Sequence, residues 1–587
     1  MPEYLAPAVF VEETSFRAKS IEGVGTSTAA FVGMTARGPV SVTPSDPSPP
    51  LLTSFNDYQR YYGGVDDLLI GGAAARNHIA LAARAFFNNG GGRLYVARLL
   101  GAGAAFARTG ILNTDQSAAA KKQVAFVARQ PGGARIGSGT ANFRVVLRLD
   151  TLETTKRYAL GQPTGSLATA ANKSFFMGID TDDSNADLKA VKIDDPAVIT
   201  TVSIEVYDPA GLVYEAGGLG LHPRHPRYIG AVLGATPPNA GDALTNPVRI
   251  DIGADVTPLE LRDALVPSSA PTTQQGVPER VADLVGGTDG AGTPSTADFQ
   301  TALDSLLAIE DISMVAAPGS SAYEAAKPRA IADMLTGHAG ARRAYRIAVL
   351  DTPPNLEPTG NVSAKSVKSV IDSKYAALYY PWIRIANPLA ATDPTQPAEI
   401  DVPPSGAVCG IYARSDVERG VWKAPANETV TGAIGLQRDV RFGEQEVLNP
   451  LGVNCIRALP NRGIRVWGAR TTSSDPEWKY VNIRRYFLYL EASIDRGTQW
   501  AVFEPNGESL WGNVRTTISD FLYNEWVSGA LLGATPKEAF FVHCDRSTMT
   551  QNDLDNGRLI CLIGVAAIKP AEFVIFRIGQ KTADARS

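Results

Sequence analysis

The sequence predicts an α/β and α+β multidomain protein, and three observations predict it. At about 150 residues per domain, its 587 residues correspond to roughly four domain-sized units. Residues 28–100 and 284–386 alternate short apolar runs with helical periodicity, the pattern of a doubly wound, mainly parallel sheet. Residues 101–283 are rich in Thr, Asp, Ala, Gly and Pro and read as a β-rich insertion, whereas all seven tryptophans fall between Trp382 and Trp526 and mark a densely packed C-terminal third.

The elements follow in order. Asn77 to Phe87 places Ile79, Ala82, Ala83, Phe86 and Phe87 on one helical face, and Asn88-Asn89-Gly90-Gly91-Gly92 stops it before the strand Leu94 to Ala97. Alternating stretches such as Phe143 to Leu149 and Val202 to Tyr207, separated by turn residues, give the insertion its β character, and its ends must meet because the α/β pieces on either side do. Thr296 can cap a helix with the stripe Phe299, Leu303, Leu306 and Leu307, followed by a strand from Ile312 to Ala317. Tyr345 to Leu350 reads as a strand, Val367, Val370, Ile371 and Tyr375 as a helix face, and Leu378 to Ala386 as a last strand before a Pro-rich link at Pro388 to Pro404. Two amphipathic helices are expected at about Val481 to Ile494 and Ser509 to Gly529, the second burying Leu510, Val514, Ile518, Phe521 and Leu522.

A composition of 44% hydrophobic and 20% charged residues with mean hydropathy −0.06 is that of a soluble globular protein. Fifty-five Lys and Arg against 60 Asp and Glu leave a net charge of −5, which disfavours nucleic acid and anionic lipid as partners. The start Met1-Pro2-Glu3-Tyr4 has no basic n-region or apolar h-region, and the longest apolar uncharged stretch, Leu559 to Ile568, is too short to span a membrane. A protein made in the cytoplasm, without membrane insertion, is expected. Cys409, Cys455, Cys544 and Cys561 are widely spaced and form no CxxC pair, so buried reduced thiols are expected.

Motifs for chemistry are weak. Gly25-Thr26-Ser27-Thr28-Ala29 matches four of five positions of the subtilisin nucleophile motif, but the first histidine, His78, comes after it, whereas that chemistry places Asp and His before the serine. Ser547-Thr548-Met549 lacks a glycine for a sharp nucleophile turn, and the neighbours His543 and Cys544 point to opposite faces of a strand. His222 and His225 sit between prolines with no third ligand nearby, the GxG starts at Gly23 and Gly101 lack a third glycine, and no GxxxxGK[ST] or HExxH occurs. No catalytic residue, cofactor or metal is expected.

The two ends carry more information. Ala8-Val9-Phe10-Val11 is a short strand without a local hairpin partner, running into a polar link from Glu12 to Glu22. Glu572-Phe573-Val574-Ile575-Phe576-Arg577-Ile578 is apolar at five of seven positions and on both faces, so it reads as an interior strand. Burying five such side chains is worth on the order of 8 to 15 kcal/mol gross. The strand either closes the chain's own sheet or is donated to a neighbouring subunit.

Tyr4 to Glu13 followed by Ile21 to Gly33 resembles the opening of phage-type contractile tail sheath proteins. Val402-Pro403-Pro404-Ser405-Gly406, Trp422 to Asn427, Asn482-Ile483-Arg484-Arg485, Arg496 to Asn506, Thr550 to Leu559 and Lys569 to Phe573 are similar to that family in order and spacing. The resemblance covers about residues 1–40 and 284–578, and hardly touches 101–283.

The resemblance implies an α/β domain sometimes described as subtilisin-like in fold, without that chemistry. It also implies a structural role: a homo-oligomeric helical polymer of stacked hexameric rings around an inner tube protein, with baseplate and terminator or cap proteins as further partners. Contraction of that polymer would drive the tube through a target envelope, as part of a virion tail sheath or phage-tail-like particle. In that scheme Ala8, Val9, Phe10 and Val11, and Phe573, Val574, Ile575, Phe576 and Ile578, are inter-subunit strand arms. Asn513, Thr516, Thr517, Asp520 and Asn524 form a possible tube-facing surface.

The organisation expected is an arm and linker at 1–27, an α/β domain from 28–100 with 284–400, an outward insertion at 101–283, and a sheath core with its C-terminal arm at 401–587. The alternatives are a subtilisin-type hydrolase, which needs a serine, His and Asp in order, and a surface-binding module carried by the insertion, which need not polymerise.

Overall fold

The computed structural model describes residues 20–576 apart from 41–48, 71–72, 114–119, 134–135, 137–138, 155–174, 180–187, 193–196, 210, 224, 239–244, 268, 275 and 325. The chain divides into two compact units, one of Ser27–Arg414 with Pro425–Ser474, the other of residues through Thr26 with Ser415–Ala424 and Asp475 onward.

In the larger unit eight strands form one sheet: β1 (Thr28–Met34), β2 (Arg93–Leu99), β3 (Met314–Ala316), β4 (Ile347–Asp351), β5 (Ala376–Tyr380), β6 (Glu428–Thr429), β7 (Val453–Leu459) and β8 (Gly463–Val466). Their order is β6-β8-β7-β5-β4-β3-β1-β2. Pairing is parallel from β7 to β2, and β8 turns back antiparallel between β7 and β6. All of β1 is buried, because a parallel strand covered on both faces needs apolar side chains on both.

Helices cover the two faces. On one, Ala30, Val32, Val315, Leu350, Leu378 and Val453 pack with residues of α2 (Thr296–Leu306), α3 (Lys327–Ala339) and α6 (Phe442–Leu451). On the other, Phe31 meets Phe86 of α1 (His78–Asn88) edge-on at 5.9 Å. There α5 (Ser405–Arg419) packs so tightly on α1 that a Cβ at Gly406 would lie 2.5 Å from the Ala82 carbonyl oxygen.

The insertion leaves after β2 and returns before α2. Strands Ala141–Thr154, Ala197–Asp208, Gly211–Leu219 and Glu279–Val285 form an antiparallel sheet, with Val124–Ala128 and Val248–Ile252 paired beside it. It has its own apolar core around Phe126, Val145, Leu147, Ile204, Val206 and Leu284. Its ends are adjacent: the Gly101 N–H donates to the Asp289 carbonyl at 2.7 Å.

Several expected boundaries move. Ser295, not Thr296, caps α2, its hydroxyl accepting from the Asp298 N–H, and Leu307 lies past the helix, 42% exposed. The helix expected through Tyr375 is α4 (Ala364–Ser369); Lys368 Nζ donates to the Ile371 carbonyl at 2.8 Å as the chain turns, leaving Val370 exposed. The strand expected from Leu378 to Ala386 is broken at Pro381, which has no N–H to continue the ladder. Ile383–Ala386 pairs instead with Glu399–Val402 and Ala433–Leu436 in a separate sheet, so the Pro-rich link itself contains a strand. The α/β unit also extends to Ser474, beyond the expected limit near 400, because β7 completes the parallel sheet beside β5.

Candidate functional site

The smaller unit is built on α7 (Val481–Gly497) and α8 (Glu508–Val527). Their apolar stripes meet in a core of Tyr486, Leu490, Leu510, Trp511, Val514, Ile518, Phe521 and Leu522. Inside it, Glu525 accepts hydrogen bonds from the hydroxyls of Tyr486 at 3.1 Å and Tyr489 at 2.8 Å, and burial pushes its carboxyl above the usual glutamate range.

Residues 20–26 are part of this unit. Ile21 is buried against it, and the Val24 N–H donates to Ser493 Oγ at 3.1 Å. Thr26 is held on both sides: its hydroxyl donates to Asp416 at 2.6 Å and its carbonyl accepts from Arg485 at 3.0 Å. Arg485 and Asp416 form a two-pronged ion pair at 2.8 and 2.5 Å, with side chains only 3% and 4% exposed. This clamp joins residues far apart in the chain, and no local motif announces it.

The C-terminal segment is pinned and then released. Glu572 accepts from the Tyr480 hydroxyl at 2.9 Å and pairs with Lys479 Nζ at 3.5 Å. Beyond it Phe573, Val574, Ile575 and Phe576 are 70, 68, 80 and 83% exposed and lie outside any strand. The strand expected over 572–578 is therefore not formed by its described residues, since they meet no ladder partner; Ile578, like Ala8, Val9, Phe10 and Val11, lies outside the described residues.

The same unit carries a two-stranded antiparallel hairpin, Phe540–His543 with Leu562–Val565. Among the described residues neither outer edge is paired with a further strand, and Phe541 and Leu562 are exposed. On α8, Asn513, Thr516, Asp520 and Asn524 face outward. Thr517 corrects the expectation: it is buried, because it falls three residues after Val514 and four before Phe521, on the inward stripe. Phe503, within the stretch Arg496 to Asn506, is fully exposed with a left-handed backbone, φ 66°.

The motifs weighed for chemistry have structural partners. Thr26 belongs to the clamp, Ser547 Oγ donates to Asp545 at 2.5 Å within a turn, and His225 Nδ1 accepts from the Arg227 N–H at 3.0 Å. Among the described residues no group of three or more His, Cys, Asp or Glu could hold a metal ion, and no helix is long and apolar enough to cross a membrane.

The described residues form a mixed α/β multidomain fold. The sequence matches the phage tail sheath protein central domain over residues 292–472 and the phage tail sheath C-terminal domain over 473–581, and over that stretch it is similar to the phage tail sheath family. It is 28% identical over 272 residues to a prophage major tail sheath protein of Pseudomonas aeruginosa (strain UCBPP-PA14), covering 45% of this chain and 64% of that one. It is 22% identical over 240 residues to the tail sheath protein of Enterobacteria phage T4, covering 38% and 36%. The chain thus spans less than two thirds of the curated relatives it matches. In fold it is similar to the anti-feeding prophage helical sheath in its contracted state, with TM-score 0.53 at 20% identity over 98% of this chain and 100% of that one.

Proposed function

We propose that the chain is the repeating subunit of a contractile tail sheath. It polymerises as stacked hexameric rings around an inner tube, engages baseplate and terminator proteins at the ends, and contracts to drive the tube forward. The observation that carries this reading is the run Phe573 to Phe576, four consecutive apolar side chains held out in solvent beyond a pinned Glu572. Burying them is worth on the order of 6 to 12 kcal/mol gross, and strand addition to an open hairpin edge of a neighbouring subunit would bury them while satisfying their backbone.

Ala8 to Val11 would serve as the second arm, leaving the subunit from the clamp at Thr26. With both arms exchanged, the lattice stays tied while subunits rotate, and contacts that do not close on themselves generate a helix. The extended state is kinetically trapped, and contraction buries more surface than it exposes. The α/β domain is of the subtilisin-like type by resemblance and acts as scaffold. Asn513, Thr516, Asp520 and Asn524 are the tube-facing candidates on α8, and reversing charge at Asp520 should weaken co-assembly with the tube protein.

Truncation after Glu572 tests the arm. It removes no buried side chain among the described residues, so circular dichroism and melting should match the full chain while sedimentation shows that polymerisation is lost. A truncated chain that still forms long cylinders by negative-stain electron microscopy would sink the mechanism. One that unfolds would show that the segment closes its own sheet.

A further inference from the structure

The hairpin of the smaller unit holds a pair of cysteines that sequence spacing does not connect. Phe540–His543 and Leu562–Val565 pair in one register, with His543 opposite Leu562. One step further along that register Cys544 stands opposite Cys561, and each thiol shifts the other's ionisation. Both are free thiols in this structure, Cys544 buried and Cys561 half-buried.

The kind of position is fixed by the ladder. The Ala566 N–H donates to the Ala539 carbonyl at 2.8 Å, which makes Ala539 and Ala566 a hydrogen-bonded pair in the same register. Hydrogen-bonded and non-hydrogen-bonded pairs alternate along an antiparallel ladder. Phe541 with Gly564 and His543 with Leu562 are then hydrogen-bonded, and Cys544 with Cys561 is not. At a non-hydrogen-bonded pair the facing Cα atoms stand about 4.5 Å apart with side chains close, within the ~4.4 to 6.8 Å that a disulfide bridges.

We infer that Cys544 and Cys561 form an oxidation site, closed to an intramolecular disulfide by exchange with a small-molecule disulfide such as oxidised glutathione. The half-buried Cys561 loses its proton and attacks one sulfur of the small disulfide, expelling one thiolate and forming a mixed disulfide. Cys544 then loses its proton and attacks the Cys561 sulfur, expelling the second thiolate. Two protein thiols are oxidised, one small disulfide is reduced to two thiols, and the two protons released are taken up by the leaving thiolates.

Burial pushes the Cys561 thiol up to about 12. Burial also raises Cys544, with Asp545 raising it further and Arg515 and the Cys561 thiol opposing. Thiolate is therefore scarce near neutrality, and exchange should quicken about tenfold per pH unit between roughly pH 7 and 9. The disulfide closes the loop that carries the short helix Gln551–Asp555 and fixes the open end of the hairpin. This holds whichever strands the hairpin edges receive.

The test uses the full chain with oxidised glutathione at about pH 8.5, followed by alkylation, non-reducing digestion and mass spectrometry. The expected product is one peptide pair joined through Cys544 and Cys561, with the fully buried Cys409 and Cys455 unmodified until the chain is unfolded. Amide exchange in 540–543 and 562–565 should slow by about tenfold on oxidation. Cys544→Ser should stop at a glutathione adduct on Cys561, and Cys561→Ser should leave Cys544 untouched. A stable glutathione adduct on Cys561 of the unsubstituted chain, a crosslink between chains, or no modification would each overturn the inference.

Discussion

Arg98 and Asp289 lie 191 residues apart in the chain and 2.8 Å apart in space, with side chains 0% and 3% exposed. Arg98 lies one residue before the end of β2, the last sheet strand before the insertion, and Asp289 stands where the insertion returns. Arg98 also donates to the Gly38 carbonyl at 2.9 Å, and the second Asp289 oxygen accepts from the Gly133 N–H at 3.0 Å. One buried carboxylate thus joins the sheet to the root of the insertion.

Removing one member of this pair leaves a buried charge without its partner. Arg98→Met or Asp289→Ala should cost about 3 to 5 kcal/mol, seen as a lower urea midpoint at unchanged slope. Replacing both by apolar residues should recover much of the loss, and a double variant as weak as either single one would contradict this account.

The contact between Gly101 and Asp289 also predicts how the insertion can be removed. Replacing 103–287 with a short Gly/Ser link should leave a soluble chain with a cooperative melt, because the insertion has a separate core and its ends already touch. Loss of folding would show that the β-rich part belongs to the main core.

Asp351 gives a pH signature. It ends β4, and its two oxygens accept from the Ser405 N–H at 2.8 Å and hydroxyl at 2.6 Å, while burial pushes its carboxyl up to about 7 from 3.8. A raised carboxyl holds its proton more tightly folded than unfolded. Its contribution is therefore full below about pH 4 and falls as pH rises to about 7, by on the order of 4 kcal/mol. Asp351→Asn should flatten that part of the stability profile, measured as the difference in urea midpoint between the two proteins across this range.

Phe503 carries strain without local compensation, since a fully exposed aromatic gains nothing within the subunit from its left-handed backbone. Phe503→Gly should leave the isolated subunit as stable or up to about 1 kcal/mol more stable, while lowering polymer yield if the ring packs on a neighbour. Melting of the subunit and sedimentation of the polymer separate the two effects.

The legible parts of the sequence were those where periodicity and burial coincide. The all-apolar run of β1, the face of α1, and the stripe Leu510, Val514, Ile518, Phe521 and Leu522 each announce an element whose side chains share one environment. Thr517 shows the limit: its polarity pointed outward while its phase along the helix pointed inward, and phase prevailed because neighbouring turns were already buried.

The sequence by itself determined the α/β rhythm, the β-rich insertion, the weakness of every catalytic motif and, through its motifs, the resemblance to the sheath family. Only the tertiary structure decided that β7 completes the sheet beyond the Pro-rich link, that Asp416, Arg485 and Thr26 form one clamp, that Arg98 meets Asp289, and that Cys544 faces Cys561. The physical reason is the same in each case. Periodicity is a property of neighbouring residues, whereas a buried ion pair or a strand partner is chosen by chain closure over long separations, which no local pattern records.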